Sequence, residues 1–173
     1  MTLSLVLRPV FSLRVRCFEL AEKTARPIYT KLLKRNMQSW GHTMETLRAF
    51  PAGTVGRDIF VFLSQNGLEL MPGLEDHDVF HVLFEFEPTV YGEIMLQAVV
   101  YGNGRRTLYT KLAVLFGWLI FPEFHADFYK NYRKGKQYKA FHRWNYQYLL
   151  LEKTADLRAF VTNSDKIPEL NSL

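Results

Sequence analysis

The sequence predicts an all-α protein, a compact single-domain array of about six to eight helices of the usual 10 to 14 residues. Three observations carry that expectation. Few stretches alternate apolar and polar residues as strands do. Apolar residues instead recur at helical spacing, most clearly Val55, Ile59, Phe62 and Leu63. Strong breakers, Pro72-Gly73, Pro88 and Gly102-Asn103-Gly104, then divide the chain into helix-sized lengths. A chain of 173 residues that is 48% hydrophobic and 15% aromatic can build one well-buried core and is short for two domains, so residues 1–173 read as one. Cys17 is the only cysteine, which excludes an internal disulfide and a thiolate zinc cage and suits a reducing compartment. Any metal must therefore be held by nitrogen and oxygen. No internal repeat, low-complexity tract or Ser/Gly linker divides the chain.

The opening MTLSLVLRPVFSLRVRCFEL carries Arg8, Arg14 and Arg16 and no acid before Glu19. It resembles a mitochondrial presequence without an obvious cleavage site, and a basic first helix of a bacterial protein would look similar. Residues 1–40 thus form a basic N-terminal segment, helical from Phe18 to Trp40 with a break at Pro27 and a polar side at Lys31, Lys34 and Arg35. Thr54 is a good N-cap for a helix from Val55 to Asn66, which Gly67 should stop. This helix is scaffold.

Chemistry concentrates between Glu75 and Glu93, EDHDVFHVLFEFEPTVYGE, which holds four candidate metal ligands: His77, Asp78, His81 and Glu93. On a helix His77 and His81 leave the same face one turn apart and can grip one ion, with Asp78 beside His81. In one unbroken helix the twelve residues from His81 to Glu93 would span roughly 18 Å, far beyond a metal bond of about 2 Å. Pro88 resolves this, because it lacks the amide proton of an interior turn: the first helix should stop near Glu87 and a second begin with Pro88 at its first position. Glu93 can then fold back, and Gly92 lets the backbones come close. His77 lies in the first turn, where the helix dipole disfavours imidazolium and keeps the ring in its ligating form. Two imidazoles and two carboxylates suit zinc, iron(II) or manganese. The bland alternative is an accidental His pair, hydrogen-bonded in an ordinary amphipathic helix.

Glu93 to Tyr101 is mostly apolar and ends at Gly102-Asn103-Gly104. The run LAVLFGWLIFP, Leu112 to Pro122, is shorter than the roughly 20 apolar residues a spanning helix needs. Three readings compete for it: a core helix, which has the best prior, the wall of a lipid pocket, or a segment dipping into one leaflet. Tyr129 to Trp144, YKNYRKGKQYKAFHRW, has six Lys or Arg and no acid; taking these from the chain's net +5 leaves −1 elsewhere, so the positive charge is local. Its aromatics, Tyr132, Tyr138, Phe141 and Trp144, bring nucleic-acid binding into consideration. Nucleic acid ranks low, since no recognisable module accompanies the patch and the pattern suits an anionic lipid surface equally well. Simpler still, Lys130, Arg133 and Lys134 form a solvated helix face while the rings pack inward. Leu149 to Phe160 should continue as a helix, with a frayed tail after Asn163-Ser164-Asp165 and Pro168. His42, His125 and His142 are isolated and read as structural, and no phosphate loop or Ser-His-Asp arrangement is present.

The ligand pattern His77-Asp78, two residues, His81, eleven residues and Glu93 resembles the signature of the coenzyme Q biosynthesis protein four family. Phe50-Pro51-Ala52-Gly53-Thr54-Val55-Gly56-Arg57 resembles that family's Pro-x-Gly-Thr-Leu-Gly-Arg approach to a helix, and Gly92-Glu93-Ile94 its Gly-Glu step. Leu115-Phe116-Gly117 through Pro122 and Asp156-Leu157-Arg158 are weaker echoes, so the resemblance covers roughly residues 45–160. The chain departs from the family at Met71 to Asp76, which is short and acidic where members often have a longer helix with aromatic and basic residues. The resemblance implies a role in ubiquinone (coenzyme Q) biosynthesis. Members are described as lipid-binding organisers of the biosynthetic complex and as the enzyme that oxidatively removes a ring carboxylate from a polyprenylated hydroxybenzoate. It implies His77, Asp78, His81 and Glu93 as metal ligands and site residues, with zinc the first candidate and iron or manganese next. Implied partners are a polyprenylated quinone precursor or other isoprenoid lipid, other quinone-biosynthesis proteins and a membrane surface; a homodimer is open to it. The implied location is peripheral on a membrane, on the cytoplasmic side in a bacterium or on the matrix side of the mitochondrial inner membrane. Two other classes fit the residues: a non-catalytic lipid-binding scaffold with a structural metal, and a His-Asp phosphohydrolase recruiting His42 or Asp127.

Overall fold

A computed structural model of the chain describes residues 11–20, 23–24 and 39–162. The chain divides into two compact units, Met1–Met37 and Gln38–Leu173. In the first, residues 11–20 are helical. The start of the presequence-like segment, the break at Pro27, the polar side at Lys31, Lys34 and Arg35, and the tail after Thr162 lie outside the described residues.

Among its described residues the second unit has seven α-helices, α1 (Met44–Arg48), α2 (Val55–Gln65), α3 (Glu75–Phe84), α4 (Val90–Gly102), α5 (Leu108–Ile120), α6 (His125–Gln137) and α7 (Thr154–Thr162), with short 3-10 turns at Pro122–Phe124, Phe141–Arg143 and Tyr146–Leu149. Among the described residues there is no strand, only an isolated bridge between Thr54 and Lys153. The expected all-α class is what the chain adopts.

Helix α4 is the axis of this unit. Every residue from Gly92 to Val100 is buried, which explains its apolar character on all sides. It packs against α6, α5 and α3. The contact with α6 is backbone-close: a Cβ on Gly102 would lie 2.1 Å from the Tyr132 carbonyl oxygen, and one on Gly135 would lie 2.0 Å from that of Val99. Only glycine fits there. The core on the other side of α4 joins Ile59 and Leu63 of α2 to Val79, Phe80 and Leu83 of α3 and Leu157 and Val161 of α7.

Several local expectations are revised. Thr54 occupies the N-cap of α2 but its hydroxyl does not cap; it donates to the Pro51 carbonyl at 2.8 Å. The first-turn amides of Val55 and Gly56 donate instead to the Glu152 and Leu150 carbonyls, both at 2.9 Å. That strand-like pairing is why the expected helix from Leu149 to Phe160 is interrupted: residues 150–153 run extended or in turns to serve α2, and α7 begins only at Thr154. Pro88 does not start α4 as expected. It stands one residue ahead of the cap, Thr89, whose hydroxyl accepts from the Gly92 amide at 3.1 Å. Helix α3 ends earlier than Glu87, at Phe84, because Glu85 turns left-handed at φ 56°. Helix α5 is not the core helix that had the best prior: Leu108, Leu112, Leu115, Phe116 and Leu119 are exposed, and only Thr110 and Gly117 are buried.

Candidate metal centre

His77 and His81 leave one face of α3 a turn apart, and their Nε2 atoms stand 3.2 Å from each other. Glu93 enters from the first turn of α4, because the 85–89 connection reverses the chain between the two helices. Gly92 makes the return possible: a Cβ there would fall 2.0 Å from the Glu87 carbonyl oxygen. The close approach expected at Gly92 is therefore present, against the connection rather than against α3. One carboxylate oxygen of Glu93 lies 3.2 Å from His81 Nε2, and the other 3.1 Å from His77 Nε2. Ligands about 2.0–2.1 Å from a tetrahedral ion stand about 3.3 Å from one another, so this spacing fits one small divalent cation.

Tautomer and burial strengthen the fit. His81 Nδ1 donates to the Phe86 carbonyl at 2.8 Å, which leaves Nε2 with its lone pair turned toward Glu93 and His77 when the ring is neutral. Acceptor atoms about 3 Å apart repel unless a proton or a cation sits among them. His81 is 2% exposed and Glu93 5%. The His81 ring stacks on Phe62 with centroids 5.0 Å apart, and Tyr109 from α5 stands edge-on to His77 at 6.5 Å. Burial alone would push the Glu93 carboxyl up, but the charges and hydrogen bonds of His77 and His81 together hold it well below the usual carboxylate range. Burial likewise opposes charging His81, yet its bond to Glu93, that carboxylate's charge, the Phe86 carbonyl and the charge of Asp78 together raise it. The three groups could thus hold a cation, a proton or a metal ion, between them.

Of the four residues expected to bind metal, His77, His81 and Glu93 converge with all ligand atoms within 4.8 Å, and Asp78 stands outside that group. Asp78 lies one position along α3 from His77, on the next face of the helix, and it acts on His81 through its charge. Neither residue that a phosphohydrolase would recruit joins the site: His42 packs edge-on to Phe50, and Asp127 accepts from the Tyr91 hydroxyl at 3.0 Å. His125 stacks on Trp118, and His142 bonds Asn103, so these isolated histidines have the structural roles expected of them.

A crystal structure from Nostoc punctiforme, described as a "Putative ubiquinone biosynthesis protein", matches with a TM-score of 0.57 at 18% identity, covering 88% of this chain and 81% of that one. The two chains share a fold. That agrees with the resemblance carried by residues 45–160. No protein-family model matches the chain, and no curated protein does.

Sequence reasoning underrated Arg158, present only as part of a weak echo. From α7 its Nε donates to the Leu83 carbonyl at 2.8 Å and one Nη to the Val82 carbonyl at 2.9 Å, while the other Nη pairs with the Glu85 carboxylate at 2.6 Å. It thus holds the end of the helix that carries both histidines. His81 and Arg158 also line a cleft of about 830 Å³ whose walls include Val61, Phe62, Phe86 and Pro88.

Proposed function

We propose that this protein is a metal-dependent component of ubiquinone biosynthesis that handles a polyprenylated ring at a membrane surface. The observation that carries the reading is the convergence of His77, His81 and Glu93 at the spacing of a single ion's ligands. These three residues would hold the ion, with Asp78 tuning His81 from outside the group rather than ligating. A metal bound there supplies a Lewis acid for the carboxylate and phenolic oxygens of a hydroxybenzoate ring and, if redox-active, electron exchange with dioxygen. Zinc is the first candidate, with iron and manganese next. Three protein ligands leave an open position, as catalytic rather than structural sites do.

The residues around the group have definable tasks. Glu93, held ionised, neutralises one charge of the ion, and the stacked Phe62 and buried α4 keep bulk water from His81. Tyr109 stands beside His77 where a substrate's polar ring would approach. The adjacent Leu108 begins the exposed apolar stripe of α5, so a prenyl tail lying along that face would reach the ion's surroundings at its ring end. No helix among the described residues is long and apolar enough to cross a membrane. In this reading α5 meets lipid from one side, on the cytoplasmic face of a bacterial membrane or the matrix face of the mitochondrial inner membrane. The exposed Lys130, Arg133 and Lys134 of α6 add attraction for anionic headgroups.

Elemental analysis of freshly purified protein beside a His77→Ala, His81→Ala double variant tests the site. Near-stoichiometric metal that is lost in the double variant is the expected result, and its identity separates oxygen chemistry from Lewis-acid chemistry. A wild type that stays metal-free after reconstitution would sink the metal reading. The α5 stripe, which exists independently of the ligands, would then favour a lipid-binding organiser of quinone-biosynthesis proteins without catalysis.

A further inference from the structure

We infer that Arg158 is the positioning residue that sets which nitrogen of His81 faces the ion. The inference rests on the metal reading for its consequence but not for its geometry. The last carbonyls of a helix have no partner within it. In α3 these carbonyls lie immediately after His81, and the helix ends on Glu85, a non-glycine residue in the left-handed region at φ 56°. A side chain there is held only if its surroundings over-determine it. Arg158 takes the Val82 and Leu83 carbonyls on one side of that residue and its carboxylate on the other, with all three contacts between 2.6 and 2.9 Å. One planar guanidinium serves all three, which a lysine ammonium on a flexible stem cannot reproduce.

The left-handed turn has a chemical purpose one residue further on. It aims the Phe86 carbonyl back at His81, where it accepts from Nδ1 at 2.8 Å. That bond puts a proton on Nδ1 and, in the neutral ring, leaves Nε2 as the acceptor toward His77 and Glu93, each 3.2 Å away. A turn that opened would release Nδ1, let the ring take either tautomer, and cost the site part of its affinity. Partners that orient a ligating imidazole this way typically carry about 10- to 100-fold in metal affinity. Arg158 sits 75 residues beyond Leu83 in sequence, and its side chain contacts the carbonyls rather than any ligand atom. Its effect therefore travels through the backbone of the turn.

Two measurements test this, one without metal. In metal-free protein carrying nitrogen-15 histidine, above the pH at which the ring loses its charge, the wild type should show His81 protonated at Nδ1. Arg158→Ala and Arg158→Lys should show a mixture of tautomers. In zinc competition against a chelator, both variants should bind about 10- to 100-fold more weakly than wild type, while Glu85→Gln, which keeps both carbonyl bonds, should stay close to it. Far-UV circular dichroism confirms folding; if Arg158→Ala does not fold, Arg158→Lys carries both measurements. Wild-type zinc affinity together with an unchanged Nδ1 tautomer in the folded variants would overturn the role of Arg158. A wild type that binds no zinc would overturn the metal reading instead, and the tautomer measurement would still decide what Arg158 does.

Discussion

Asn103 shows how much one side chain can organise. Its amide nitrogen donates to the Gly135, Tyr138 and Lys139 carbonyls, and its carbonyl oxygen accepts from both the backbone N–H and the ring Nδ1 of His142 at 3.2 and 2.8 Å. In the sequence Asn103 reads only as the middle of a breaker; in the fold it ties the end of α4 to the end of α6. Burial, then Arg143, Arg105 and Arg106, push His142 below its ordinary 6.5, against the opposing pull of the Asn103 bond. The folded protein therefore binds fewer protons at this residue than the unfolded chain. Its contribution to stability is present above pH 6.5 and lost as pH falls through the lower folded value. His81 acts in the opposite sense, since its folded value is raised: its contribution is present below 6.5 and lost as pH rises through the folded value. Replacing His142 with Gln should flatten the loss of stability on mild acidification below pH 6.5, read as the urea midpoint against pH. An unchanged slope would mean that His142 is equally easy to protonate in both states.

At the scale of elements, α5 is the one whose nature was legible and whose place was not. Its apolar run predicts a helix, and Leu108–Ile120 is one. A helix apolar on nearly all sides reads as buried, because sequence periodicity offers no polar face to turn outward. Here packing settles the matter: Gly117 faces Ile94, with a would-be Cβ 3.0 Å from its Cγ2, and the stripe through Leu115 and Leu119 is left 50% and 65% exposed. A contiguous exposed apolar face of this kind marks a surface that meets lipid or protein. Leu115→Lys with Leu119→Lys should change stability by no more than about 0.5 kcal/mol per site, as for ordinary surface substitutions, and should reduce co-sedimentation with anionic vesicles. Undiminished vesicle binding would show that the α5 stripe is not what meets lipid.

At the scale of the whole molecule, an ion bound by His77, His81 and Glu93 would be coupled to the fold, because these residues lie on two helices whose faces are brought together only in the folded state. Zinc held at about one hundred times its dissociation constant should stabilise the protein by about 2.7 kcal/mol, and the shift should vanish in the His77→Ala, His81→Ala variant. Equal zinc-induced shifts in both proteins would place the binding elsewhere. The sequence by itself determined what short-range geometry decides. Helical periodicity and breakers set the class and the limits of α2 and the end of α4, and four-residue spacing put His77 and His81 on one face. The return of Glu93 was also readable, since only a break between the helices brings it within a bond's reach of the histidines. Tertiary structure decided what depends on partners far along the chain. Leu150 and Glu152 satisfy the amides that Thr54 was expected to cap, and Arg158 closes the end of α3 from 75 residues away. Asp78 is left outside the group formed by His77, His81 and Glu93 although it adjoins His77 in sequence. Hydrogen-bonding groups and ligands are chosen by distance in space, and a sequence specifies that distance only for near neighbours.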